Sequence, residues 1–167
     1  MGRSALHHAA GIDRPDLTQL LIEHGARLEA HDTSGKTALH QAAEYGLVEV
    51  CKVLLDAGAL IDAVSHNRMV PLHYAAWHGR CDAIRLLVSR GAGINDIFMS
   101  ESTPLHIAAH HGQIEACRTL CELGASPSYC PHWVSSQYLT PFQSAVNAGK
   151  EDTIRFFMFE HGEALGQ

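Results

Sequence analysis

The chain has 167 residues, 46% of them hydrophobic and 18% charged, which fits one globular domain burying roughly two thirds of its unfolded surface and argues against disorder. Its net charge of -6 has the wrong sign for neutralising a phosphate backbone, so no nucleic-acid partner is expected. Apolar runs such as Leu20-Leu21-Ile22 and Phe156 to Phe159 are far shorter than the roughly 20 residues a membrane span needs, and the opening residues lack a signal-segment pattern. Leu6 also stands where N-myristoylation requires Ser or Thr. The expectation is a soluble protein without membrane insertion, in the cytoplasm or nucleus.

Sliding the sequence against itself places Leu-His pairs at His7, His40, His73 and His106, successive steps of 33 residues. Paired alanines (Ala9-Ala10, Ala42-Ala43, Ala75-Ala76, Ala108-Ala109) and the pairs Gly25-Ala26, Gly58-Ala59, Gly91-Ala92 and Gly124-Ala125 keep the same register. A fifth unit, opening at Thr140-Pro141-Phe142-Gln143, follows after a four-residue insertion. The units run about 4–34, 35–67, 68–100, 101–133 with a lengthened loop to 139, and 140–165, all in one domain over 1–167.

In chain order, the first unit supplies Pro15 near a helix start, where proline is tolerated, then Leu20-Leu21-Ile22 as a buried stripe. Asp13 stands where later units have glycine, a position Asp fills because it visits the left-handed region more readily than most residues. In the second unit an Ala-rich helix over Thr37 to Tyr45 ends at Gly46, and a second helix opens with Glu49, where the helix dipole favours an acid. Asp82, Glu115 and Asp152 repeat that placement, and Gly58-Ala59 with its equivalents breaks each second helix into a turn. In the fifth unit the polar residues Glu151 and Thr153 replace Val48 and Val50, which reads as a partial cap, although Phe159 falls in the slot of Asp56.

A 33-residue unit cannot enclose a core alone, so neighbouring units must cover its apolar faces in a stacked solenoid. With Thr103-Pro104-Leu105-His106-Ile107-Ala108 and this period over about residues 4–165, the chain resembles the ankyrin repeat family. The resemblance implies an all-α solenoid of helix-turn-helix units joined by β-hairpin-like loops, with His7, His40, His73 and His106 tying turns together through a Thr-to-His hydrogen bond. Val70 removes that bond from the third unit, and Gln143 replaces the histidine in the fifth. The first unit begins inside its motif, which suggests a piece of a longer protein.

Cys117, Cys121, Cys130 and His132 have a spacing like that of a Cys3His zinc site. The repeat register argues for core instead: Cys121 takes the slot of Leu55 and Val88, Cys117 that of Cys51 and Ile84, and Cys81 that of Val48 and Ile114. No metal or cofactor is expected, and the odd cysteine count at apolar positions favours a reducing compartment. The sequence shows no nucleophile elbow, phosphate-binding glycine loop or His-Glu-x-x-His motif, so it is read as a non-enzyme without a small-molecule substrate.

If first helices stack at ~10 Å, residues one repeat apart form ladders along a concave face. The resemblance implies that the two positions after the paired alanines, together with the hairpin tips, face a groove. The central units put Glu44, Tyr45, Trp77, His78, His110 and His111 there, with Lys36, His66, Met69, Met99 and Ser102 at the tips. Aromatic side chains beside polar groups are what a protein-binding hot spot requires. The competing reading has Trp77 packing beneath a neighbouring hairpin. Tyr129, His132, Trp133 and Tyr138 in the lengthened loop form a secondary site, or else cover the joint between the fourth and fifth units. Asn95 resembles ankyrin asparagines that accept hydroxylation, against the plainer reading of a turn residue.

The expected function is that of a monomeric scaffold binding a partner protein or peptide through the groove and hairpin tips. The alternatives are a substrate-receptor array of the ankyrin and suppressor-of-cytokine-signalling-box type, without a visible box after Phe159, or a regulatory portion of an enzyme. The histidine patch also allows an interaction sensitive to pH.

Overall fold

The computed structural model describes residues 3–97, 102–128, 139–160 and 162. Ten α-helices occur among them: α1 (Ala5–Gly11), α2 (Pro15–Glu23), α3 (Ala38–Tyr45), α4 (Val48–Asp56), α5 (Pro71–Trp77), α6 (Cys81–Ser89), α7 (Pro104–His111), α8 (Ile114–Glu122), α9 (Pro141–Asn147) and α10 (Glu151–Glu160). They pair in sequence as α1 with α2, α3 with α4, and so on to α9 with α10. The odd-numbered helices form one layer, each touching the next odd-numbered helix, and the even-numbered helices form a second layer in the same way. This is the stacked all-α solenoid expected from the repeat.

The core is a continuous column between the layers. One leucine in each of α1, α3, α5 and α7 (Leu6, Leu39, Leu72, Leu105) and one large apolar residue in each of α4, α6, α8 and α10 (Leu54, Leu87, Leu120, Phe157) are excluded from solvent. The paired alanines let the first helices approach closely, because a methyl is all the space between them admits. Thr153 departs from the cap reading of the fifth unit: it is buried with its Oγ1 unpartnered, since the slot faces the neighbouring helix layer rather than solvent. Phe159 is 82% exposed.

Gly46 closes α3 with φ 76°, the left-handed conformation expected of it, and Asp13 adopts φ 52° at the equivalent place. Gly35 is required twice over: its φ is 72°, and a Cβ there would lie 2.6 Å from the backbone nitrogen of His66. That closeness lets the His66 N–H donate to the Ser34 carbonyl at 3.0 Å and joins successive hairpins.

A buried ring clasps each unit to the next. His7 Nε2 donates to the Lys36 carbonyl at 2.8 Å, His40 to Met69 at 3.1 Å, His73 to Ser102 at 3.0 Å and His106 to Leu139 at 2.8 Å. A carbonyl can only accept, so each of these Nε2 atoms carries the proton and each neutral ring has Nδ1 as acceptor. Ser4, Thr37 and Thr103 supply a backbone N–H and a hydroxyl to Nδ1, with the hydroxyls at 2.8, 2.9 and 2.8 Å. Val70 has no hydroxyl, and Nδ1 of His73 is left buried without a partner. In the fifth unit Gln143 takes over, its Oε1 accepting from the Thr140 N–H at 2.8 Å. Burial holds the His40 ring far below its ordinary pKa, at about 4.

Candidate functional site

The C-terminal ends of α3, α5 and α7 lie side by side, so residues one repeat apart meet across the joints. The half-buried Trp77 ring is the centre of this arrangement. His111 stacks on it at 4.7 Å between centroids with planes 18° apart, and His78 lies at 5.7 Å and 10°. His110 meets His111 edge-on at 5.1 Å. Offset stacking of this kind fixes the rings relative to one another, so what they expose is rigid contact area at low entropic cost.

Glu44 continues the row toward the second unit. One of its oxygens lies 2.7 Å from Lys36 Nζ and the other 3.6 Å from His78 Nε2. The Lys36 ammonium also sits 5.3 Å from the centroid of the buried Tyr74 ring, a cation-π contact beneath the groove. Tyr74 is in turn held by its hydroxyl, which donates to Ser65 Oγ at 3.1 Å. The edge of His40 meets the Tyr74 ring at 5.5 Å, which connects the groove floor to the clasp of the second unit.

Two residues tie the row to the following units. Arg80 Nε donates to the Glu44 carbonyl at 3.1 Å, and Gln113 Nε2 donates to the Trp77 carbonyl at 3.1 Å. Each satisfies a carbonyl near the end of a first helix, where no intrahelical N–H is available. Beside this joint, Tyr45 is 41% exposed and borders an open depression of about 330 Å³ with Arg80 and Asp82.

Six of the residues expected at the site, Lys36, Glu44, Trp77, His78, His110 and His111, therefore form one continuous row, with Tyr45 at its edge. His66 is exposed at a hairpin tip. Met69 is not a tip residue: it is only 5% exposed, because the chain turns at Arg68 (φ 60°) and sends the next side chain inward while its carbonyl meets His40. Ser102 is half-buried, and its carbonyl receives His73. Asn95 is half-buried, with Oδ1 accepting from the Ser126 N–H at 3.2 Å, a link between successive turns. Met99, Tyr129, His132, Trp133 and Tyr138 lie outside the described residues, as does Cys130.

Sequence reasoning misses Tyr74, Arg80 and Gln113, although the register carries a signal for them. Tyr74 shares a column with Gln41 and Ile107, and Arg80 and Gln113 share one with Lys150, each residue following the glycine that ends a first helix.

Electrostatics limit the chemistry available. His111 is held below its ordinary pKa, first by burial and then by the neighbouring His110, Lys150 and His78. Burial pushes the Cys51 thiol up to about 12 and that of Cys121 to about 11, and it raises Cys117 further. These thiols are protonated at neutral pH, the form that neither attacks nor ligates. Cys51 and Cys117 fill core positions as the register predicts. Among the described residues no group of three or more His, Cys, Asp or Glu side chains is placed to hold a metal ion, and no helix is long and apolar enough to cross a membrane.

Stacked helical pairs, clasped unit to unit, define an all-α repeat solenoid. A family model described as ankyrin repeats (3 copies) matches residues 1–65, 32–97 and 72–166, and the chain belongs to that family. Ankyrin repeats are in general protein-protein interaction modules and typically have no enzymatic activity. No curated protein matches the chain.

Proposed function

We propose that this protein holds a segment of a partner protein along the groove of its second to fourth units, with Trp77 as the anchor and without a cofactor. The observation that carries the reading is the stack of Trp77 with His78 and His111. A large, half-buried ring is fixed between polar neighbours at the ends of the first helices. Large, pre-ordered rings at the middle of a surface are where binding energy concentrates. Tyr45 extends the contact toward the second unit, and His66 adds a tip contact.

The test is affinity capture from cell extract with the intact chain and with a Tyr45→Ala, Trp77→Ala, His111→Ala variant that keeps its helical signal and cooperative melting. A partner recovered by the intact chain and lost from the variant is expected. A partner retained equally by both would remove the groove from the interaction and direct attention to 129–138.

A further inference from the structure

The carboxylates of the chain are divided unevenly between the helix layers. Every second helix carries at least one, from Asp16 in α2 to Glu151, Asp152 and Glu160 in α10. The first helices carry Glu44 alone. That carboxylate is engaged by Lys36 and His78 and is largely shielded, its side chain 17% exposed. In a protein of net charge -6, the other ionisable side chains of the first helices are imidazoles and tyrosines.

We propose that the groove takes an acidic peptide segment, seated against Trp77 with its carboxylates on His78, His110 and His111. This rests on the groove being the binding site, and it adds the chemistry of the partner. His78 and His110 are exposed and His111 is half-buried, and His78 Nε2 already lies 3.6 Å from a Glu44 oxygen, a contact that a ligand carboxylate would share or displace. Lys150, approaching from the start of α10, packs its methylenes over Gly112 and adds positive charge beside them. His66 and Arg68 stand exposed at the hairpin where the second unit passes into the third. The carboxylates on every second helix disfavour a long polyanion that must extend past the ends of the first helices, whereas a short segment seated there meets fewer of them.

Proton linkage follows from the same geometry. The groups facing His111 are His110 from its own helix, His78 from the end of α5 and Lys150 from the approach to α10. α9 contributes no charged residue, and Glu44 beyond His78 is already paired with Lys36. In the free protein burial opposes protonation of His111, and so does the positive charge of neighbours such as Lys150; a ligand carboxylate works against both. Binding takes up a proton, so affinity rises as pH falls.

The experiment pans a random 12-residue display library against the full chain at pH 6.0 and titrates the selected peptides, synthesised with a fluorophore, at pH 6.0 and 7.5. Selected peptides are expected to be rich in Asp and Glu and to bind about tenfold more tightly at pH 6.0, within the roughly thirtyfold that uptake of one proton allows over this interval. A His78→Gln, His110→Gln, His111→Gln variant should lose that pH dependence, and Lys150→Glu should weaken binding at both pH values. Uncharged or basic winners that still require Trp77 would overturn the acidic partner while leaving the groove as the site. Winners indifferent to Trp77→Ala and to the histidine variant would overturn both readings. An absence of acidic winners, or tighter binding of a labelled dT12 strand that the histidine variant abolishes, would equally end the proposal.

Discussion

The turn opening the second unit and the turn opening the third use the same buried imidazole, with Val70 in the third where Thr37 stands in the second. Thr37 gives His40 Nδ1 a backbone N–H at 3.1 Å and a hydroxyl at 2.9 Å, while Val70 leaves Nδ1 of His73 buried and empty. Both rings still reach the following unit through Nε2. The comparison separates two roles that one residue fills elsewhere: holding the next unit, which survives the loss, and satisfying its own helix start, which does not. An unpaired buried acceptor costs about 1–3 kcal/mol, so the weaker turn sits in the unit that carries Trp77.

Acid gives the largest expected effect, because it attacks both turns. The folded pKa of His40, about 4, lies below its unfolded value near 6.5, so the unfolded chain binds more protons between them. The stabilisation is complete above about pH 6.5 and is lost as pH falls toward 4, with His40 alone accounting for about 3 kcal/mol. Urea midpoints measured at pH 7, 5.5 and 4.5 should fall steadily. His40→Gln, which copies the bond Gln143 makes in the fifth unit, should flatten the part above pH 5. An unchanged slope in that variant would contradict the assignment.

Making the second turn like the third is the next largest change. Thr37→Val should destabilise by about 1 kcal/mol, the usual cost of losing a cap hydroxyl, read as a lower urea midpoint with the m-value unchanged. The smallest effect is the reverse substitution. Val70→Thr should add about 0.5–1 kcal/mol by filling the empty acceptor of His73, and a neutral or negative result would mean the hydroxyl cannot reach it.

Much of this architecture is legible in the sequence because a period of 33 residues is a strong signal, and a periodic chain must bury the same columns in every unit. The empty acceptor at His73 is readable from Val70 for that reason. The misplacements have a common cause. Distance from the helix puts Met69 at a hairpin tip, but the turn is made by Arg68 in a left-handed conformation, and one residue of offset reverses which side a neighbour faces. Thr153 resembles a capping residue by polarity, yet its column is buried whatever occupies it. Tyr74, Arg80 and Gln113 act on residues far along the chain, through contacts that only the stacking of units creates.

The clasps also bear on how quickly the chain organises itself. They span 29 residues at the first three joints and 33 at the fourth, so no joint waits for distant parts of the sequence to meet. Closing loops of that length costs little more entropy at the last joint than at the first, and local contacts of this kind belong to rapid folding. A unit leaving the ribosome needs only its immediate predecessor as a template, and order can spread along the array in the direction of synthesis.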